Sequence, residues 1–301
     1  MSIKEHPPQS NDRLHVPVLL NATLGLLNPK SGESYLDLTA GYGGHARRIL
    51  ERTKNYTDAV LTDRDDFAIA HLRDLEEKGV RLLHTDFVSA AKALIEERKQ
   101  FDNVLLDLGV SSPQLDNDER GFSFTHNGPL DMRMDKRQDE TAATLVNRLS
   151  ESELTRIITS YGEEPIGFAR RIAKAIRTHR PFRETKELAD VILAEHHGRW
   201  QRIHPATRTF QALRIAVNQE LRQVEEVLPL LPRLLTPGGR VAIISFHSLE
   251  DRLVKRYFAD QKAAGYEAEL QILTKKPLAG ATDDVHNPRA RSAKLRAAVK
   301  P

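Results

Sequence analysis

The stretch Ser34–Ala46 (Ser-Tyr-Leu-Asp-Leu-Thr-Ala-Gly-Tyr-Gly-Gly-His-Ala) constrains the fold more than any other part of the chain. Tyr35, Leu36 and Leu38 predict a short strand, Gly41, Gly43 and Gly44 a loop, and Ala46–Leu50 the opening of a helix. Glycines placed this way let the backbone turn sharply and let a ligand come close to the amides. A strand, a glycine loop and a helix in that order begin an open α/β nucleotide-binding sheet. Gly41-x-Gly43-x-x-Ala46 also satisfies a relaxed dinucleotide fingerprint, so the loop alone does not choose the ligand.

The acids around it narrow the choice. Asp37 precedes the glycines, Asp63 closes the apolar run Ala59–Leu61, Asp86 follows Val80–Leu83, and Asp107 follows Val104–Leu106. Four expected strands thus each bring an aspartate to the carboxyl edge, where such sheets bind ligands. A pyrophosphate would be repelled there. A ligand with an ammonium, a sulfonium and a ribose diol is suited to it, and S-adenosylmethionine is such a molecule. Asp63, about 20 residues past the glycines, is the expected acceptor for the ribose hydroxyls. The plainer alternative is that these acids only solubilise strand ends.

A length of 301 residues suggests about two domains at roughly 150 residues each. No apolar run approaches the roughly 18 residues of a membrane span, and Met1–Asp12 carries no hydrophobic signal core, so a cytoplasmic location is expected. The absence of cysteine excludes disulfides and thiolate metal sites, and no other metal-ligand spacing, P-loop or nucleophile elbow is found. No metal is therefore expected. Net charge is only +3, so the distribution of charge says more about partners than its sum.

Strand and helix alternate from Tyr35 to Asp107, with crossovers at Ala68–Lys78 and Ser89–Lys99, which predicts a parallel, doubly wound sheet. His15–Leu20 reads as an extended segment leading into a short helix at Asn21–Leu27. After Asp107 the rhythm stops. Leu108–Asp135 is rich in turn formers and has no clear period, and an irregular stretch this long is usually functional. An all-helical block follows, opened by the capping box Ser150–Glu153 and with Gly162 expected to stop its first helix. Ile166–Ile176 and Leu188–Leu193 mark two more helices. Leu213, Val217, Leu221, Val224 and Leu228 then predict one long amphipathic helix ended by Pro229 and Pro232. Gly238-Gly239 reads as a turn into a strand at Val241–Ser245, followed by a helix at Leu249–Phe258 and strands near Glu269–Leu273 and Lys294–Val299.

Basic charge is concentrated in the helical block: Arg170, Arg171, Lys174, Arg177, His179, Arg180 and Arg183, then Arg199, Arg202, Arg208 and Arg214. Such a run is either a solvated helix face or a surface for phosphates, and the preference for Arg over Lys favours phosphates. Arg120–Phe124 and Gly128–Asp135 mix aromatics, Met and Arg in a Gly/Pro frame, suited either to stacking an extruded base or to pinning the loop to the core. His247 follows an expected strand and so faces either the cleft or a structural hydrogen bond.

With these residues in view, the chain resembles the RsmH/MraW family of S-adenosylmethionine-dependent methyltransferases, which modify the N4 amine of a cytosine in the decoding region of small-subunit (16S) ribosomal RNA. The resemblance runs from His15 to Arg296. It rests on the Asp37–His45 loop, Asp63-Arg64-Asp65, Leu106–Asp116, Arg120–Asp135, His204–Ala212, Ser245–Arg252 and Asn287–Ser292. It implies a Rossmann-like class I methyltransferase sheet from residues 1–114 and 204–301, with an inserted helical rRNA-recognition domain at residues 115–203. It implies that Gly43, Gly44, His45, Asp63, Phe87, Asp107 and Gln114 line an S-adenosylmethionine site. From its place at a strand's carboxyl end, Asp107 is expected to contact the cofactor and the amine, with Ser111 or Ser112 as a further acceptor for the amine. The implied partner is the small ribosomal subunit; oligomeric state is left open, with a homodimer as one option. Two departures stand out: His286 occupies a position where an acid often precedes Asn-Pro-Arg-Ala-Arg, and Asp107-Leu-Gly-Val-Ser-Ser-Pro replaces the (Asp/Asn/Ser)-Pro-Pro-aromatic motif of most amino-methyltransferases. Two other classes fit single features. A nicotinamide oxidoreductase would suit the glycine loop alone, and a non-catalytic RNA-binding assembly factor the basic block alone.

Overall fold

The structure, a computed structural model, describes residues 17–197 and 203–301. His15 and Val16 of the expected extended segment lie outside these, as do Arg199 and Arg202 of the basic run.

Helix α1 (Leu20–Leu27) leads into alternating strands and helices: β1 (Tyr35–Asp37), α2 (Gly44–Thr53), β2 (Ala59–Asp63), α3 (Asp66–His71), α4 (Arg73–Glu76), β3 (Arg81–His84), α5 (Phe87–Glu96) and β4 (Phe101–Asp107). A helical stretch follows, with α6 (Ser112–Asp116), α7 (Ala142–Arg148), α8 (Glu151–Gly162), α9 (Ile166–His179), α10 (Thr185–Ala194), α11 (Thr207–Asn218), α12 (Glu220–Val227) and α13 (Leu231–Leu234). The chain ends with β5 (Leu235–Ser245), α14 (Ser248–Ala263), β6 (Gln271–Ile272), β7 (Leu278–Ala279), α15 (Gly280–Asp283) and β8 (Lys294–Val299). The sheet order is β3-β2-β1-β4-β5-β8-β6, with β7 also on β8. β1 to β5 are parallel and β8 runs antiparallel to its neighbours, so the sheet is Rossmann-like and mostly parallel, as expected.

Helices cover both faces of this sheet. Leu36, Val60, Val104, Leu106, Val241 and Ile243 turn to one apolar cluster with α5, α12 and α14, while Tyr35, Leu61, Leu105, Ala242 and Ile244 turn to another with α1 and α2. The alternation is the period-two geometry of a strand buried on both sides. A third cluster lies in the helical stretch. It joins α7 to α10 with Phe122, Leu130, Met132 and Met134 from the loop and with Phe210, Leu213 and Val217 of α11. Phe122, Met132 and Met134 are therefore buried, and Phe124 stacks edge-on to Phe210, centroids 4.7 Å apart. Phe122 and Met132 pin the loop to this core, while Phe124 is only half-buried and Met134 also lines the cleft described below.

Several expected element boundaries differ. The long helix over Leu213–Leu228 is two, broken at Gln219, whose φ of 50° is left-handed. That conformation costs a non-glycine residue about 1–2 kcal/mol. The break leaves Asn218 Nδ2 donating to Met132 O (2.8 Å) and Asn218 Oδ1 accepting from Met134 N (2.9 Å), and turns Glu220 toward Arg214. Helix α8 is capped by Ser150 as expected but runs through Gly162 and ends on Glu163, with φ 52°. Gly162 is needed for space, since a Cβ there would lie 2.7 Å from Arg208 O on α11. The Ala68–Lys78 crossover is two short helices meeting at Leu72. Gly238 and Gly239 lie inside β5, beside a register irregularity, and not in a turn before it.

Candidate functional site

A cleft of about 1140 Å³ opens at the carboxyl edge of β1, β2, β4 and β5. Asp37 at the end of β1 is buried; its Oδ2 accepts from Tyr35 Oη (2.6 Å) and its Oδ1 from Thr39 N (3.1 Å). Thr39 Oγ1 in turn accepts from Asp107 N (2.6 Å), which joins the ends of β1 and β4. Asp63 closes β2. It accepts from Gly41 N (2.8 Å) through Oδ2 and from Asp65 N (2.9 Å) through Oδ1, so it fixes the glycine loop while retaining lone pairs for a ligand. Gly43, with φ 81°, caps α2, and Gly44 begins it. A Cβ at Gly44 would meet Pro17 Cγ at 2.7 Å and one at Gly43 would meet Leu72 Cδ2 at 2.8 Å. Packing therefore explains these two glycines at least as well as ligand approach does, and Gly43 is not part of the cleft lining.

Asp107 projects from the end of β4. His45, in the first turn of α2, places Nε2 3.8 Å from Asp107 Oδ2. Burial pushes His45 down to about 4, so it is neutral at physiological pH, with a backbone interaction at Val18 opposing the shift only in part. Burial also raises Asp107 well above the usual carboxylate range, and the nearby charges of Asp37 and Glu250 add to this. Asp107 Oδ1 and Ser111 Oγ are both buried without a hydrogen-bond partner among the described residues. Gln114 lines the cleft, but its amide is shared between Ser111 N (2.9 Å) and Asp65 Oδ2 (2.7 Å). Phe87 lines the cleft from the first turn of α5, where Asp86 is the helix cap and accepts from Val88 N and Ser89 N (both 2.9 Å). Of the four strand-end acids, Asp86 thus has a local structural task.

Acids raised in this way make a sharp pH prediction. Asp37 is pushed up to about 6, first by burial and then by Asp63, against the hydrogen bonds from Tyr35 and Thr39. A carboxyl raised in the folded state contributes stability that is full below its unfolded pKa and is lost as pH rises through the folded value. Relative to Asp37→Asn, the wild type is expected to lose on the order of 3 kcal/mol between pH 4 and pH 7. Urea denaturation of both proteins across that range checks this; parallel stability curves would contradict it.

The wall beyond Asp107 holds Glu220 and Glu250, which sequence reading did not single out, beside Arg214 of the basic run and His247. Arg214 donates through Nε and Nη2 to Glu220 (both 2.8 Å), and both residues face the cleft. His247 also faces it, while capping α14 by accepting from Glu250 N through Nδ1 (3.4 Å). Glu250 Oε2 accepts from Phe246 N (2.8 Å), and Oε1 lies 3.2 Å from His247 Nε2. Burial alone would raise Glu250, but His247 and Arg214 outweigh it and hold it below the usual range. Ligand atoms of Glu220, His247 and Glu250 come within 4.8 Å of one another, a grouping that resembles a metal site. The bonding describes an ion-pair network instead: Glu220 is held bidentately by Arg214, and a His247 Nδ1 that accepts leaves the proton on Nε2, facing Glu250. The sequence signals for this wall were His247 after the returning strand, Arg214 at the end of the basic run and the Ser245–Arg252 motif; nothing marked Glu220.

The basic run divides. Arg170, Arg171, Lys174, Arg177 and Arg183 are exposed, whereas Arg180 donates to the carbonyls of Val146 and Leu149 at the end of α7 and Arg214 lies in the cleft.

A mostly parallel sheet with a glycine turn, strand-end acids over one cleft and a helical stretch between β4 and β5 defines a Rossmann-like α/β protein with a ligand cleft at the carboxyl edge of its sheet. The chain belongs to the MraW methylase family, whose family model matches residues 12–301. It is 48% identical to the Ribosomal RNA small subunit methyltransferase H of a Cyanothece species over 291 residues, 95% of each chain. It is also 48% identical to the protein of that name from a Geobacter species over 308 residues, covering 95% of this chain and 98% of the relative. No described helix is long and apolar enough to cross a membrane.

Proposed function

We propose that this protein transfers the methyl group of S-adenosylmethionine to the N4 amine of a cytosine in the decoding region of small-subunit ribosomal RNA, in the cytoplasm. The naming of its full-length relatives supports the rRNA substrate, and the observation that carries the donor is the cleft itself. Asp107 Oδ1 and Ser111 Oγ are buried with no hydrogen-bond partner among the described residues, and Asp37, Asp63 and Asp107 all lie above their ordinary pKa, Asp63 even with Arg64 beside it. Such a set fits a ligand that is cationic and rich in hydroxyl donors. Asp63 would hold the ribose, with Gly44, His45 and Phe87 completing the walls and Gly43 and Gln114 holding the loops that shape them. When bound, S-adenosylmethionine supplies a methyl already activated by its sulfonium.

The chain's own residues need to orient the amine and accept its hydrogen bonds. Asp107 Oδ1 and Ser111 Oγ, both at the cleft, would do so. An ionised Asp107 accepts from both amine hydrogens more strongly than a protonated one, and a cationic ligand beside it favours that ionised form. Residues 115–203, with their exposed arginines, form the RNA-recognition insert in this reading.

Titration calorimetry with Asp63→Ala is expected to show S-adenosylmethionine binding weakened by about 1–3 kcal/mol, through loss of a charge-assisted hydrogen bond. Unchanged affinity in the folded variant would remove Asp63 from the ribose site. At the level of the cell, small-subunit rRNA nucleosides from a strain lacking the protein should contain less N4-methylated cytidine than the parent. An unchanged nucleoside profile counts against the proposed function.

A further inference from the structure

A second concavity, of about 730 Å³, lies between α8 and α9, away from the cleft. One wall is a stripe on α8 at helical spacing: Ser152, Thr155, Arg156, Thr159 and Ser160. The facing wall comes from α9, with Ile166, Arg170 and Arg177 on one side of the helix. Three arginines stand against one carboxylate, that of Glu151. None of the three has an acidic group within ion-pair distance among the described residues, although their neighbours Arg148 and Arg208 do. The positive field is felt locally: after burial, the charge of Arg177 is what holds Arg180 below its ordinary pKa. Thr159 Oγ1 is buried here without a hydrogen-bond partner among the described residues, and Ile166 is 50% exposed at the rim.

The groove has a direction. Helix α8 spans about 18 Å. Its C-cap, Glu163, accepts from Ser248 Oγ and from Arg252 Nη2 (2.8 Å), immediately after His247 in the cleft wall. Gln211, which lines the cleft, donates to Tyr161 O (3.2 Å) at the same end of α8. A strand lying along α8 is therefore led from the groove to the rim of the cleft. Guanidinium forks, hydroxyl donors and an exposed aliphatic side chain suit phosphates with intervening sugars.

We infer that this groove seats the phosphate backbone of the RNA substrate and leads the strand toward the cleft; the inference rests on the rRNA reading above. The test compares wild type with Arg156→Gln, Arg170→Gln and Arg177→Gln, combined, by fluorescence anisotropy on a small-subunit rRNA fragment across a salt series. All three side chains are exposed, so the variant should melt with the wild type and bind S-adenosylmethionine equally well. Every arginine that no longer meets a phosphate flattens the slope of log affinity against log salt by about 0.7–0.9, so the triple variant should flatten it by about 2 to 2.7. Salt-dependent wild-type binding with an unchanged slope in the variant overturns the groove and leaves the rRNA reading standing. Affinity that falls for assembled subunits but persists for the naked fragment would assign the groove to a protein surface and also overturn the inference. A wild type with no affinity for rRNA in either form overturns both.

Discussion

Replacing Asp107 with asparagine is expected to lower turnover by about 10²- to 10⁴-fold while leaving the protein folded and more stable at neutral pH. The two effects share one cause. Burial, with Asp37 and Glu250 nearby, disfavours the ionised carboxylate in the free protein. A group raised in this way contributes stability that is complete below its unfolded pKa, near 4, and is lost as pH rises toward its folded value. Asparagine cannot ionise, so it escapes that loss. It also keeps the backbone bond from Asp107 N to Thr39 Oγ1, so the join between β1 and β4 survives. What it lacks is a charged acceptor for the amine, and turnover in the wild type should rise with pH as Asp107 ionises. Steady-state kinetics with melting curves at two pH values give both readouts. A variant that loses turnover and stability together would make Asp107 a structural residue.

The second large effect is expected at Arg120. Its Nη1 donates to Asp65 Oδ2 (2.7 Å), an atom that also accepts from Gln114 Nε2 (2.7 Å), and its Nη2 donates to the carbonyls of Arg133 and Met134 (both 3.1 Å). Arg120 and Asp65 are each 2% exposed. The guanidinium also lies 5.7 Å from the Phe67 ring and 5.8 Å from that of Phe122. Arg120→Met removes the cation and leaves a buried carboxylate with two amide partners, Gln114 Nε2 and Phe67 N, and no countercharge bonded to it, which costs about 3–5 kcal/mol. Adding Asp65→Asn should recover part of that loss, because the uncompensated charge is then gone. Denaturant unfolding of the three variants measures the coupling. A single-variant loss below about 1 kcal/mol, or a double variant no better than the single, contradicts this role. Activity should fall with stability, since this pair ties the Asp63–Asp65 turn to the loop that carries Ser111.

The sheet was legible because its signals are local. Period-two alternation, glycine turns and strand-end acids each operate within a few residues, and all five parallel strands follow from them. The lip of the cleft was legible for the same reason, at Asp37, Asp63 and Asp107. What could not be read depends on contacts across the chain. Asp65 and Arg120 are 55 positions apart, Asn218 and Met132 are 86 apart, and neither pair has a short-range pattern. Gln219 carries no breaker residue, so the kink that brings Glu220 to Arg214 is imposed by the tertiary bonds of Asn218. The motif glycines were legible as positions but not as reasons: Gly44 answers to Pro17 and Gly162 to α11. The aromatic and methionine side chains of Arg120–Asp135 had two readings, and a core made from α7 to α11 decided for packing.

The most direct test of the proposed reaction is mass spectrometry of small-subunit rRNA after incubation of assembled subunits with the protein and S-adenosylmethionine carrying an isotopically labelled methyl group. The predicted result is label on the exocyclic amine of a single cytosine in the decoding region, absent when Asp107→Asn replaces the wild type. Label on carbon 5, on a ribose oxygen or on a ribosomal protein would contradict the account, even with cofactor binding confirmed.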